Sequence, residues 1–235
     1  MPNYLANGTR PDIAFTMNVL MCYASDPCPL HWRLVQQVIT YTKTTINYGI
    51  TYQKGGPLKP VGYSDVSFAD DPDSQKSTAG QLFLMANAPV FWKAKTLKHV
   101  STSTGETEYV AVYEAGRMVK WMIQWLEEVE IYENLPFKLK CDNNAAITLT
   151  KNVSGHSHIK HTNIKHHRIH EAVKAGEISV TYIPTKDNIA DLFTKALPCP
   201  QLRLQPFHLY NHLIQFIPYM YTFTYRPQPP RWCRQ

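Results

Sequence analysis

From residue 60 to residue 197 the chain reads as three strands, a long helix, a strand, helices, a strand and a last helix, an order that few architectures accommodate. Residues 61–69 form a strand-like run, followed by a polar turn over 70–77 that contains Pro72. Residues 81–85 and 90–95 read as two further strands, separated by Asn87-Ala88-Pro89. Beyond the long helix come a strand over 137–141, a helix after Asp142, a helix ending near Gly176, a strand over 178–183 and a helix over 187–196. This order fits a mixed sheet with helices packed on its faces, an α/β class.

The long helix carries the clearest local signals. Ser103 and Glu106 make a capping box. Ala111, Ala115, Met118, Met122, Leu126 and Val129 continue from it as an apolar stripe at helical spacing. Glu108 lies at the sheet-facing edge of that stripe, where a carboxylate is costly unless it is paired or bound to metal. A partly exposed first-turn glutamate, favoured by the helix dipole, accounts for the position equally well. Asp65 interrupts a strand, where aspartate is disfavoured. Asp142 ends the 137–141 strand, and strand C-termini are where α/β sheets place their chemistry; an N-cap for the next helix suits it too. In the last helix Ile189, Leu192, Phe193, Ala196 and Leu197 make the apolar face, and Asp191 falls opposite, as a solvated surface charge would.

The flanks differ in character. In residues 1–58 one helix starts after Asp12 and runs through Ile13, Met17, Leu20 and Met21. A second follows Pro29 through Trp32, Val35, Val38, Ile39 and Thr42. Two helices bury little surface, so this part is a fragment or must dock on the domain after it. Gly55-Gly56-Pro57 marks the boundary. The expected division is 1–58, 59–197 and 198–235, the last holding seven prolines among many aromatics and reading as irregular. A net charge of +6 and pI near 9.0 favour a polyanionic partner, nucleic acid first. Five scattered cysteines without a C-x-x-C pair argue against a disulfide framework and a cysteine zinc site. The longest uncharged run, 204–225, is broken by Gln205, Pro206, His208, Asn211, His212, Gln215 and Pro218, and no signal peptide opens the chain. A soluble, intracellular protein, cytoplasmic or nuclear and without a membrane partner, is expected.

Taken together, five blocks resemble the ribonuclease H domain of copia-type LTR retrotransposon polyproteins over residues 62–197. They are Gly62-Tyr63-Ser64-Asp65, Lys76-Ser77-Thr78-Ala79-Gly80, Ser103-Thr104-Gly105-Glu106-Thr107-Glu108-Tyr109, Cys141-Asp142-Asn143-Asn144-Ala145-Ala146 and Ala190-Asp191-Leu192-Phe193-Thr194-Lys195. His156-Ser157 and Lys160-His161 follow at family-like spacing. Tyr4-Leu5, Thr9-Arg10-Pro11-Asp12-Ile13, His31-Trp32 and Gly49-Ile50-Thr51-Tyr52 look like the end of the preceding reverse transcriptase. The resemblance implies a ribonuclease H-like mixed five-stranded sheet flanked by helices. It implies a nuclease dependent on Mg²⁺ or Mn²⁺, with two ions, that cuts the RNA strand of an RNA–DNA hybrid. The family's four carboxylates fall on Asp65, Glu108, Asp142 and Asp191. Asp65 would bridge both ions, Glu108 and Asp142 would hold the ion near the leaving group, and Asp191 would position the nucleophile-side ion. Hard cations prefer such oxygen ligands, and paired ions activate water and stabilise the leaving oxygen. Ser67 and Phe68 depart from the family pattern, which usually has an acid and an aromatic there, and Gly105 stands where it is bulkier. A reverse transcriptase polymerase domain is the further partner implied; its paired-aspartate motif is missing from residues 1–60.

A basic, His-rich stretch spans 151–174, where Lys160, His161, Lys165 and Arg168 read as phosphate contacts on the hybrid. A solvated basic helix face explains the same charges. His166 and His170 are one helical turn apart, but no H-E-x-x-H pattern supports zinc. In the related nucleases a histidine near the site aids product release, a role assigned here to His161. Lys93 and Lys95, beside Phe91 and Trp92, suit the DNA strand by charge and stacking, or merely a half-exposed sheet edge. Asn143 is the remaining nucleic-acid contact expected. Two other functions remain open: a catalytically idle nucleic-acid-binding remnant, and a metal nuclease acting on another substrate.

Overall fold

The computed structural model describes residues 2–52, 54–71, 74–97, 104–131, 136–151 and 163–195, with residues 106 and 163–168 as backbone only. Its centre is a five-stranded sheet of order β3-β2-β1-β4-β5, built from β1 (Val61–Ser67), β2 (Thr78–Met85), β3 (Ala88–Thr96), β4 (Phe137–Cys141) and β5 (Ile178–Tyr182). β1, β2 and β3 form an antiparallel meander, while β4 pairs parallel with both β1 and β5. The parallel pairs are joined through helices, as parallel strands require. This is the mixed five-stranded α/β sheet with flanking helices that the resemblance implied.

Two element assignments change. The β2–β3 turn is Ala86-Asn87, both with positive φ (52° and 60°), one residue earlier than the sequence suggested. A two-residue hairpin of that backbone type matches strand twist, so Ala88 and Pro89 enter β3. Proline is tolerated there because β3 is an edge strand. The second change falls at the end of the fold. Of the helix expected over 187–196, the described residues 187–195 do not make an α-helix; Thr185–Asp187 and Ile189–Phe193 are two 3-10 segments, with Asn188 between them.

The helices are α1 (Pro2–Gly8), α2 (Ala14–Cys22), α3 (Pro29–Thr44), α4 (Thr104–Glu128), α5 (Asn144–Lys151) and α6 (Asn163–Lys174). Ser103 lies outside the described residues, so the capping box expected for α4 does too. Tyr109, Val112, Ala115, Val119 and Met122 of α4 pack with Phe83, Phe137 and Leu139 on one face of the sheet, joined by α5 and α6. The buried face of α4 is wider than the expected stripe, and Val129 lies beyond the helix and is exposed. Leu82 and Trp92, on the opposite face, meet Ile189, Leu192 and Phe193.

The N-terminal part holds one more helix than its periodicity showed, because the short α1 precedes the first expected one. Ala6, Ile13, Met17, Leu20, Leu34 and Val38 form its own small core. It also docks on the sheet. Ala14 joins the Leu82–Trp92 cluster, Trp92 Nε1–H donates to the Ala6 carbonyl at 2.6 Å, and Asn18 Nδ2 donates to Thr96 Oγ1 at 3.0 Å. The Pro57 carbonyl, in the Gly-Pro stretch, accepts from Ala86 N–H at 2.8 Å. No helix among the described residues is long and apolar enough to cross a membrane.

Candidate active site

Four elements deliver one acid each to the same end of the sheet. Asp65 sits on β1, buried, in register with Gly80 of β2. The backbone of β1 there is gripped by Asn188, whose Nδ2 donates to the Ser64 carbonyl at 3.1 Å while its Oδ1 accepts from Ala190 N–H at 3.2 Å. Asn188 thereby pins the start of the second 3-10 segment, and with it Asp191, beside Asp65. Glycine at position 80 permits the approach: a Cβ there would lie 2.7 Å from Thr194 Cγ2 and 2.8 Å from the Ala190 carbonyl oxygen.

Glu108 comes from the first turns of α4 and is buried. Of the two positions open to it, the structure selects the buried, sheet-facing one. Asp142 follows β4, two residues before α5, and the capping role it might have had belongs to its neighbour: Asn143 Oδ1 accepts from Ala146 N–H at 3.0 Å. Asp142 is thereby left available for other chemistry. Asp191 departs from its expected place as a solvated charge. Its side chain is only 16% exposed and faces Asp65, because a 3-10 turn of three residues redistributes side chains that an α-helix would have set opposite one another.

The electrostatics are those of like charges held together. Burial first, and then the charges of Asp65 and Asp142, push the Glu108 carboxyl up from 4.5 to about 8. Burial and Asp65 push Asp191 up to about 7. Lys195 Nζ lies 3.0 Å from Asp191 Oδ1 and 3.6 Å from Asp65 Oδ2. Burial works against its charge, but Asp65 and Asp191 outweigh that and raise its pKa. Thr194 Oγ1 donates to Asp65 Oδ2. At the other end, Glu108 Oε2 and Asp142 Oδ1 are buried without a hydrogen-bond partner among the described residues. Glu108, Cys141 and Asp142 each bring a ligand atom within 4.8 Å of the others.

Two orphaned carboxylate oxygens beside further acids fit a divalent cation, since an unpaired buried charge is otherwise expensive. The donor set points to a hard ion. Around Glu108 and Asp142 the donors are carboxylate oxygens, with the Cys141 thiol, pushed up to about 12 by burial, beside them.

No protein-family model matches the chain. Retrovirus-related Pol polyproteins of plant transposons match most of it; that of tobacco transposon TNT 1-94 is 33% identical over 190 residues, 81% of this chain. Over most of its length the chain is similar to retrovirus-related transposon Pol polyproteins. It spans 14% of that polyprotein's length. A secreted RxLR effector protein, number 161 of Plasmopara viticola, is 41% identical over 119 residues, covering 51% of this chain and 84% of the effector. Among solved structures, an LC11 ribonuclease H1 in complex with RNA/DNA hybrid aligns over 58% of this chain and 94% of that one, at 13% identity and a TM-score of 0.43.

The remaining expected contacts are spread wider. Lys93 is exposed on β3. Lys95 reaches Glu114 of α4 at 3.4 Å, and Arg117 shares that carboxylate at 3.7 Å. Asn143 stands in the site itself, its side chain favouring the charged form of Glu108. Lys160 and His161 lie outside the described residues, as do the side chains of Lys165, His166 and Arg168. His170 donates through Nδ1 to the Thr150 carbonyl, 3.1 Å away, tying α6 to α5.

Sequence reasoning assigned no part to Asn188, Thr194 or Lys195, although the last two lie within a quoted motif. Lys195 had a usable signal, standing four residues after Asp191, the spacing at which opposite charges meet along a helical backbone. Asn188 had none, because its partner is a carbonyl 124 residues away.

Proposed function

We propose that this chain is a metal-dependent ribonuclease that hydrolyses the RNA strand of RNA–DNA hybrids, with Asp65, Glu108, Asp142 and Asp191 holding Mg²⁺ or Mn²⁺, two ions in all. One observation carries the reading: Glu108 Oε2 and Asp142 Oδ1 are buried without a hydrogen-bond partner among the described residues, and Asp65 lies close enough to raise the Glu108 pKa. No ordinary structural use of carboxylates explains leaving them so. Similarity to transposon Pol polyproteins supports the substrate class.

Bound divalent ions would supply an activated water and charge neutralisation at the leaving oxygen. The chain's own residues prepare that chemistry. Asn188 and Gly80 bring Asp191 against Asp65. Asn143 favours the charged form of Glu108, and Thr194 fixes one oxygen of Asp65. Lys93 and Lys95, with Lys160, His161, Lys165 and Arg168, would grip the hybrid backbone by charge, an attraction that weakens with salt. Residues 1–58 are read as the end of a preceding reverse transcriptase, whose polymerase domain would be the natural partner in holding the hybrid, and residues 59–197 as the nuclease.

A labelled RNA–DNA hybrid with Mg²⁺ or Mn²⁺ tests this. Wild-type chain is expected to cleave the RNA strand, and Asp142→Asn to reduce cleavage at least ~100-fold, the scale on which positioned charge acts in catalysis. Cleavage by neither protein would leave an idle binding remnant. Equal cleavage by both would remove Asp142 from the site. Preference for a DNA junction over the hybrid would move the chain to another nuclease class.

A further inference from the structure

The four carboxylates are not treated alike by the protein around them. At one end, Asp65 Oδ2 accepts from Thr194 and lies 3.6 Å from the Lys195 ammonium, which also sits 3.0 Å from Asp191 Oδ1. At the other end, Glu108 Oε2 and Asp142 Oδ1 have no partner among the described residues. One half of the site is neutralised from within, and the other half is left open.

The arm that does this is built to move. Lys195 is four residues from Asp191 on the same stretch of backbone, so the carboxylate and its counter-ion come from one element. Its side chain is 39% exposed, whereas Asp65 beneath it is 2% exposed. The flexible stem can therefore swing into water without unpacking the core, a motion of the fast rotamer kind for exposed side chains. An ammonium carries three donors and no lone pair, so it cannot share a position with a divalent cation on the same oxygens.

We propose that Lys195 is an internal counter-cation that occupies the Asp65–Asp191 end of the site and must be displaced before a divalent ion enters there. Cation binding then runs in two unequal steps: a tight one at the open Glu108–Asp142 end, and a weaker one in exchange for Lys195. This rests on the reading of the four acids as a cation site. Lys195 is accordingly a positioning residue, keeping Asp65 and Asp191 together until the second ion replaces it.

Mn²⁺ binding to the full chain without nucleic acid, followed by the electron paramagnetic resonance of the free ion, tests the idea apart from activity. Wild type should show a tight and a weaker class. Lys195→Met should tighten the weaker class by about tenfold or more and the tight class by much less, since Lys195 contacts Asp65 and Asp191 directly and reaches Glu108 and Asp142 only through its field. Lys195→Arg should keep the weaker class weak. An unchanged weaker class in Lys195→Met overturns the proposal, and so does a loosened one, which would mean that Lys195 supports the ion. A measurement on wild type guards against variants that fold poorly: acylation of Lys195, read by mass spectrometry, should speed up only as Mn²⁺ fills the weaker class. A flat rate overturns the proposal. Failure of wild type and every variant to bind Mn²⁺ at all would instead remove the cation-site reading on which the proposal stands.

Discussion

Glu108→Gln should make the cation-free protein more stable at neutral pH, although it removes a residue of the site. Burial, then Asp65 and Asp142, raise the Glu108 carboxyl from 4.5 to about 8. The folded chain therefore keeps a proton that the unfolded chain gives up. The stability associated with this group is fully present below about pH 4.5 and is lost as pH rises to about 8. At pH 7 that loss is roughly 3 kcal/mol as a ceiling. Water entering and side chains relaxing lower it, and ~1–2 kcal/mol is the amount expected to show. Glutamine keeps the volume and cannot ionise, so the variant escapes the loss.

In a chain of this size 1 kcal/mol moves Tm by about 2–4 °C. Differential scanning calorimetry in EDTA should then give Glu108→Gln a Tm about 2–8 °C above wild type at pH 7 and no advantage at pH 4. Adding Mg²⁺ should raise the wild-type Tm and leave the variant nearly where it was, because binding to the native state alone stabilises it. A variant less stable than wild type at pH 7 would refute the reasoning. An equal gain at pH 4 and pH 7 would refute it as well, since the effect would then owe nothing to ionisation.

Three other substitutions probe how the site and the N-terminal helices are held. Gly80→Ala would place a methyl 2.7 Å from Thr194 Cγ2 and 2.9 Å from Phe193 Cβ. Overpacking of this kind costs about 1–3 kcal/mol, and calorimetry should register it together with weaker Mn²⁺ binding as Asp191 is pushed off Asp65. Asn188→Ala strands the buried Ser64 carbonyl and Ala190 N–H; a loss of about 1–3 kcal/mol is expected from denaturant titration, with reduced Mn²⁺ affinity that Asn188→Ala shares with Gly80→Ala. Trp92→Phe removes the donor to the Ala6 carbonyl, so limited proteolysis should cut within residues 2–22 faster while the sheet resists as before.

The strand order was legible because it depends on segments whose periodicity is local. β1, β4 and β5 each end within two residues of where the sequence put them, and a long apolar face announced α4. The β2–β3 turn was read one residue late because Pro89 suggested a breaker, whereas an edge strand can hold a proline whose missing N–H faces outward. α1 left no trace, since seven residues give barely two turns of pattern. The length of the closing helix was misjudged for a related reason: Ile189, Leu192, Phe193 and Ala196 satisfy helical spacing, but spacing over so few residues does not separate an α-helix from two 3-10 segments.

The site was legible in a different way, and its four acids show why. Local rules offered three of them a harmless role: a first-turn glutamate, a cap, a surface charge. The fold removes those alternatives one at a time. Asn143 takes the cap that Asp142 would otherwise have filled, at 3.0 Å from Ala146 N–H. The 3-10 geometry turns Asp191 inward. The packing of α4 on β1 buries Glu108 beside Asp65. The first of these is a choice between adjacent residues that local rules leave undecided. The other two depend on partners far along the chain, Asp65 on β1 above all, so no local window around Glu108 or Asp191 contains them. Only motif order across the whole chain anticipated them. Cys141 shows that the converse also holds: it brings its thiol within 4.8 Å of two of the acids because β4 ends there, and burial raises its pKa to about 12, so its place beside them is not by itself the mark of a ligand.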